Sequence, residues 1–157
     1  MTNLLPALGL GAVSGMRSMM ALAFFSDHAE DKKDRNAAAN PALNFLRSPR
    51  TAALLKIAAG GEILMDKLPF MPARTDAAPL IGRVVIGGLV GAAVSKDKWV
   101  QGGVVGALGA LVTTYAMYYI RKSLHDEQHI PDVILGVAED ALVVKAANTI
   151  VEHYDVA

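Results

Sequence analysis

Trp99-Val-Gln-Gly-Gly-Val-Val-Gly-Ala-Leu-Gly-Ala-Leu-Val-Thr-Thr-Tyr-Ala-Met-Tyr-Tyr-Ile120 runs without one charged side chain. At about 1.5 Å per residue, a helix of this stretch crosses a hydrocarbon core of about 30 Å. Trp99 stands at one end and Tyr118-Tyr119 at the other, about 29 Å apart, which is the separation of the two interfacial aromatic belts of a bilayer. A water-soluble core imposes no such spacing, so the stretch reads as a membrane span.

Working outward, Lys96-Asp97-Lys98 is a polar turn that joins this span to another at 79–95, which contains Arg83. The two spans share a near repeat, Val85-Ile-Gly-Gly-Leu-Val-Gly-Ala92 and Val100-Gln-Gly-Gly-Val-Val-Gly-Ala107, and read as a helical hairpin. The prolines of Pro69-Phe-Met-Pro72 and Pro79 lack an N–H and interrupt any helix, so they bound a stiff connection to a weaker apolar stretch at 49–68. Residues 26–48 are polar and read as a loop. Residues 4–25 hold one charge, Arg17, and form a further span. Met1-Thr2-Asn3 carries no Lys or Arg, so this run is expected to be retained and not cleaved as a signal peptide. Pro131 opens a last helix, to about 151. The expectation is an all-α, polytopic membrane helix bundle with about five membrane helices, forming a single domain over 1–157.

Composition excludes much chemistry. In 157 residues, 53% are hydrophobic and 19% charged, with 14 glycines, so the chain is neither disordered nor a likeness of most nucleic-acid binders. Fifteen basic and fifteen acidic residues cancel, leaving no footprint for a polyanion, and no nucleic acid is expected as a partner. Zero cysteines exclude disulfides, thiolate metal sites and cysteine nucleophiles. His125 and His129 stand at i, i+4, but Asp126 follows the first where the metalloprotease pattern has Glu, and no third ligand is evident. Gly9-Leu-Gly11-Ala-Val-Ser-Gly15 brushes a dinucleotide fingerprint without the strand that must precede it. No metal, cofactor or enzymatic activity is expected.

Lys and Arg in the loops set the orientation. In a five-span arrangement Lys32, Lys33, Arg35, Arg47, Arg50, Lys96 and Lys98 lie on one side, against Lys67, Arg74, Arg121 and Lys122 on the other. Seven against four places the first set in the cytoplasm, with the N-terminus outside and the C-terminus inside.

Gly87 with Gly91 and Gly102 with Gly106 are small-xxx-small pairs, and Gly11, Ser14, Gly15 and Ser18 share one face of the first span. Such faces serve tight packing within a monomer, a homodimer or small homo-oligomer, or a mobile seam. An ionisable residue at mid-bilayer costs about 2.5–3.5 kcal/mol or more unless paired or hydrated. Arg17, Lys56, Arg83, Lys145, Glu62, Glu139 and Asp140 lie in the spans, and their near balance points to internal pairing. By depth, Glu62 is the partner of Arg83, and Arg17 faces Glu139 or Asp140. Glu62 and Asp66, at i, i+4, share a helix face with Lys67 and Arg74 close by. They either hold a proton or cation, or are neutralised as a knot that pins the proline-rich connection.

These residues carry a resemblance. Gly15-Met-Arg17-Ser, Gly61-Glu62-Ile-Leu-Met-Asp66-Lys67-Leu-Pro69, Arg74-Thr, Pro79-Leu-Ile-Gly82-Arg83, Gly87-Gly-Leu-Val-Gly91 and the acidic Glu139-Asp140 resemble the domain-of-unknown-function 4126 family of small integral membrane proteins. The likeness covers nearly the whole chain, and the Glu-x-x-x-Asp-Lys-x-Pro segment is its most specific part. It implies a multi-helix, bacterial-type membrane protein and no established activity. The residue reading offers two functions. One is a small transporter or channel-like protein, with Arg17, Glu62, Asp66, Lys67, Arg74, Arg83, Glu139 and Asp140 along a ligand or ion path for an unidentified solute. The other is a non-enzymatic structural or assembly factor in the cell membrane, with the 26–50 loop as its partner surface. The bilayer is the partner common to both.

Overall fold

The computed structural model describes residues 4–31, 45–46, 48–65, 76–95, 98–128 and 131–154. Among them lie six helices and no strand: α1 (Leu5–Met16), α2 (Ser18–Asp31), α3 (Pro49–Met65), α4 (Ala77–Val94), α5 (Trp99–Gln128) and α6 (Asp132–His153). Proline marks the starts, where a missing N–H costs nothing: Pro6 in the first turn of α1, Pro49 opening α3 and Pro131 capping α6. The charge-free stretch ends at Ile120, but its helix continues to Gln128 because nothing in Arg121 to Gln128 breaks it.

The expected span at 4–25 is two helices. Arg17 has extended backbone, φ −139° and ψ 103°, and separates α1 from α2. Helix α2 then runs on to Asp31, into residues expected to be loop. By length and composition two helices can cross a membrane, Ala77–Val94 and the Trp99–His125 part of α5, while α1 is apolar but short. Five full spans are therefore more than the described helices meet on that criterion.

Helices α4 and α5 form the expected hairpin, and α1 lies against both. The three are joined backbone to backbone. A Cβ on Gly11 would overlap the backbone of Gly106, one on Gly15 the Ala110 carbonyl, and one on Gly87 the Gly106 carbonyl and the Ala110 side chain. Gly91 and Gly102 face one another, with Ser95 also on Gly102. All six packing glycines thus meet other helices of the same chain, the within-monomer use among those expected of their faces. Helices α2 and α6 pack on α1, α2 also touches α4 and α6, and α3 packs on α2.

Several polar side chains turn inward while large apolar ones face outward. Ser14, Arg17, Ser18, Ser26, Arg83, Ser95, Thr114 and Glu139 are buried. On α5, Val100, Val104, Leu108, Val112, Tyr115 and Tyr119 are exposed at helical spacing and form one apolar stripe. A contiguous exposed stripe of this kind marks a surface made for lipid or a partner.

Substituting Gly106 by Val is expected to abolish the folded protein, since the new side chain meets backbone that cannot yield. Gly60→Ala, at a position where a Cβ meets no described atom within 4 Å, is expected to be neutral or to raise the melting temperature slightly, as alanine is the better helix former by about 1 kcal/mol. Size-exclusion profiles and thermal melts in detergent check both.

Candidate functional site

Breaking a helix leaves carbonyls at the end of its first half and N–H groups at the start of its second without partners. At Arg17 both sets are met by side chains from distant elements. Arg83, 5% exposed, donates from Nη1 to the carbonyls of Gly15 at 2.9 Å and Met16 at 2.7 Å. Thr114 Oγ1 shares its hydrogen between Gly15 O at 3.1 Å and Ala110 O at 2.8 Å. On the other lip, the backbone N–H of Ser18 donates to Glu62 Oε1 at 3.0 Å and that of Met19 to Glu62 Oε2 at 2.9 Å. A cation therefore caps the negative end of α1 and an anion the positive end of α2, the favourable sense at each terminus.

Arg17 itself turns to α6, where its Nε donates to Asp140 Oδ1 at 2.7 Å; the arginine side chain is 3% exposed and the aspartate 19%. Ser14 Oγ donates to the Arg83 carbonyl at 3.2 Å, which fixes α4 against α1. Gly15 packs on Ala110 and Thr114 of α5, so the break lies between the middle of the Trp99–Tyr118 stretch and its tyrosine end.

Arg17, Glu62, Arg83 and Asp140 are thus brought together, and Arg17 takes one of the two acids expected for it. Glu62 and Arg83, expected to pair with one another, instead take opposite lips of the break, because orphan backbone groups stand between them. Glu139 points elsewhere and meets Arg121 of α5 at 3.5 Å, in an apolar groove of about 160 Å³ between α5 and α6. Two of the seven ionisable residues are not internal: Lys56 pairs with Asp27 at the surface, and Lys145 is exposed. Asp66, Lys67 and Arg74 lie outside the described residues, as does His129, while His125 is exposed. Sequence reasoning missed Ser14 and Thr114 as ligands of the break. Their signal was present, since a hydroxyl in an apolar span needs an acceptor.

A second cavity, of about 240 Å³, separates α2 from α3 and is lined by Met20, Ala23, Phe24, Asp27, Lys56, Ala59 and Gly60.

Removing the carboxylate at Glu62 leaves two N–H groups unsatisfied, at about 1–3 kcal/mol each. Glu62→Ala is expected to lower the melting temperature more than Glu62→Gln, which keeps one acceptor oxygen. In a double-mutant cycle, Arg17→Met and Asp140→Leu are each expected to destabilise by about 3 kcal/mol, and the double variant by less than their sum, because each single change strands a buried charge. Equal effects of the two Glu62 variants, or strict additivity at the pair, would contradict this assignment.

The model of a domain of unknown function, DUF4126, matches residues 4–153, and the chain belongs to that family. Comparison with curated proteins and with solved structures gives no match.

Proposed function

We propose that this member of the family is a multi-pass protein of the cell membrane, a small transporter or channel-like bundle without enzymatic activity, whose working centre is the break between α1 and α2. The membrane reading is supported by the two long apolar helices, the exposed apolar stripe of α5, and the inward placement of arginine, glutamate, serine and threonine. The transport reading rests on one observation: charged residues from α3, α4 and α6 converge on an interrupted helix well inside the bundle. Interrupted helices of this kind place helix termini and unwound backbone where ions and solutes bind in transporters. Asp66, Lys67 and Arg74 extend the same path in this proposal, whereas Glu139, paired with Arg121, stands outside it. The glycine faces being filled, any homodimer uses the outer face of α5.

A second reading, a structural or assembly factor, is favoured by how fully the break is satisfied: each described charge there meets a backbone group or an opposite charge. In that reading Lys32, Lys33 and Arg35 carry the partner contact.

Reconstitution in proteoliposomes separates the two. Fluxes of protons, sodium, potassium and chloride are followed with indicator dyes, and at least one is expected to exceed that of empty vesicles. Glu62→Gln, confirmed folded by size exclusion, is expected to lower that flux tenfold or more. A folded Glu62→Gln variant with wild-type flux would sink the transport reading. Loss of a co-purifying protein on replacing Lys32, Lys33 and Arg35, with no flux in the wild type, would establish the second.

A further inference from the structure

The course of α2 after the break is set by what covers the other helices. Helix α6 runs antiparallel to α1: Asp140 meets Arg17, and Ile150 meets Gly9. Residues 143–151 therefore lie beside α1 on the N-terminal side of the break. Helix α4 is also antiparallel to its neighbours in the seam. Arg83 stands at the break, and Gly87 and Gly91 pack on Gly106, which packs on Gly11.

Ala21, Leu22, Phe25 and Ala29 of α2 share one buried cluster with Leu10 and Val13 of α1, Val90 and Ala93 of α4, and Val143, Ala147 and Val151 of α6. All of those α4 and α6 residues belong to the halves beside α1. The other halves are open: Ile81 is 61% exposed, Val133 70% and Val137 56%. A helix that carried straight on from α1 would cover them.

We infer that α1 and α2 form a re-entrant hairpin, and that its tip, the charged break, is reached by water from the cytoplasmic face through the cavity between α2 and α3. The inference rests on the membrane reading above and goes beyond it in topology. Helix α3 is antiparallel to α2, with Lys56 beside Asp27 and Glu62 beside Ser18. The cavity follows the two helices from the exposed Asp27–Lys56 pair to Met20 and Gly60, close in sequence to Met19 and Glu62 at the break. The start of α1, the start of α3, the turn before α5 and the end of α6 then share one face. The seven Lys and Arg of 26–50 and 96–98 favour the cytoplasm for that face. The N-terminus moves inside, in place of the outside position expected from five crossings, and the C-terminus stays inside.

The native chain has no cysteine, so single cysteines report topology directly. Leu5, Arg50, Gly60, Asp76, Lys98, Ser123 and Glu152 are each replaced by cysteine in the full chain, and intact cells are treated with a membrane-impermeant maleimide. Labelling is expected at positions 76 and 123 only, with the other five reacting after permeabilisation. Labelling of Leu5→Cys from outside while Arg50→Cys is protected would mean that the N-terminal pair crosses the membrane, and would overturn the hairpin. A Gly60→Cys variant that is folded by size exclusion yet inert after permeabilisation would overturn the water route. If alkaline carbonate strips the wild-type chain from membranes, the membrane reading falls first, and the hairpin proposal with it.

Discussion

Everything in the bundle is arranged around backbone groups that a broken helix leaves without partners. In water the break at Arg17 would be trivial, because solvent supplies the missing hydrogen bonds. In a nonpolar surrounding each unmet group costs several kcal/mol, so the break exists only where side chains can be brought to it. Four helices are committed to that task. Helix α3 delivers Glu62, α4 delivers Arg83, α5 delivers Thr114, and α6 delivers Asp140 to the arginine at the turn itself. These residues stand at 62, 83, 114 and 140, so the break ties residues 4–31 to each of the helices that follow.

The glycine seam is what lets those side chains reach. With α1, α4 and α5 in contact at backbone distance, Arg83 and Thr114 stand one side-chain length from the Gly15 carbonyl. Bulkier residues along the seam would hold the helices apart, and a guanidinium at the distance of an ordinary helix pair would fall short of the α1 terminus. Small residues and buried charges, two separate patterns in the chain, therefore serve one geometry.

Much of this was legible in the residues. The α4–α5 hairpin follows from a charge-free run with aromatic ends and a polar turn before it. Depth narrows the partner of Arg17 to Glu139 or Asp140, and the structure selects Asp140. The break itself was not legible. Gly15-Met-Arg17-Ser contains no proline, and one glycine does not by itself end a helix; the interruption is held by tertiary partners whose positions no local window contains. The same blindness misassigned Glu62 and Arg83. Pairing by charge is the natural rule when only side chains are counted, and it fails when the stronger demand comes from backbone dipoles.

Order along the chain adds a consequence for biogenesis. Residues 4–31 are synthesised before Glu62, Arg83, Thr114 and Asp140 exist, so during that interval nothing is available to satisfy an interruption at Arg17. A continuous helix is then the conformation that leaves fewest backbone groups exposed to lipid. On the proposed membrane reading, the N-terminal segment enters as one helix and acquires its interruption only when the last helix arrives. The finished form of residues 4–31 is then a late product of assembly, dictated from the opposite end of the chain.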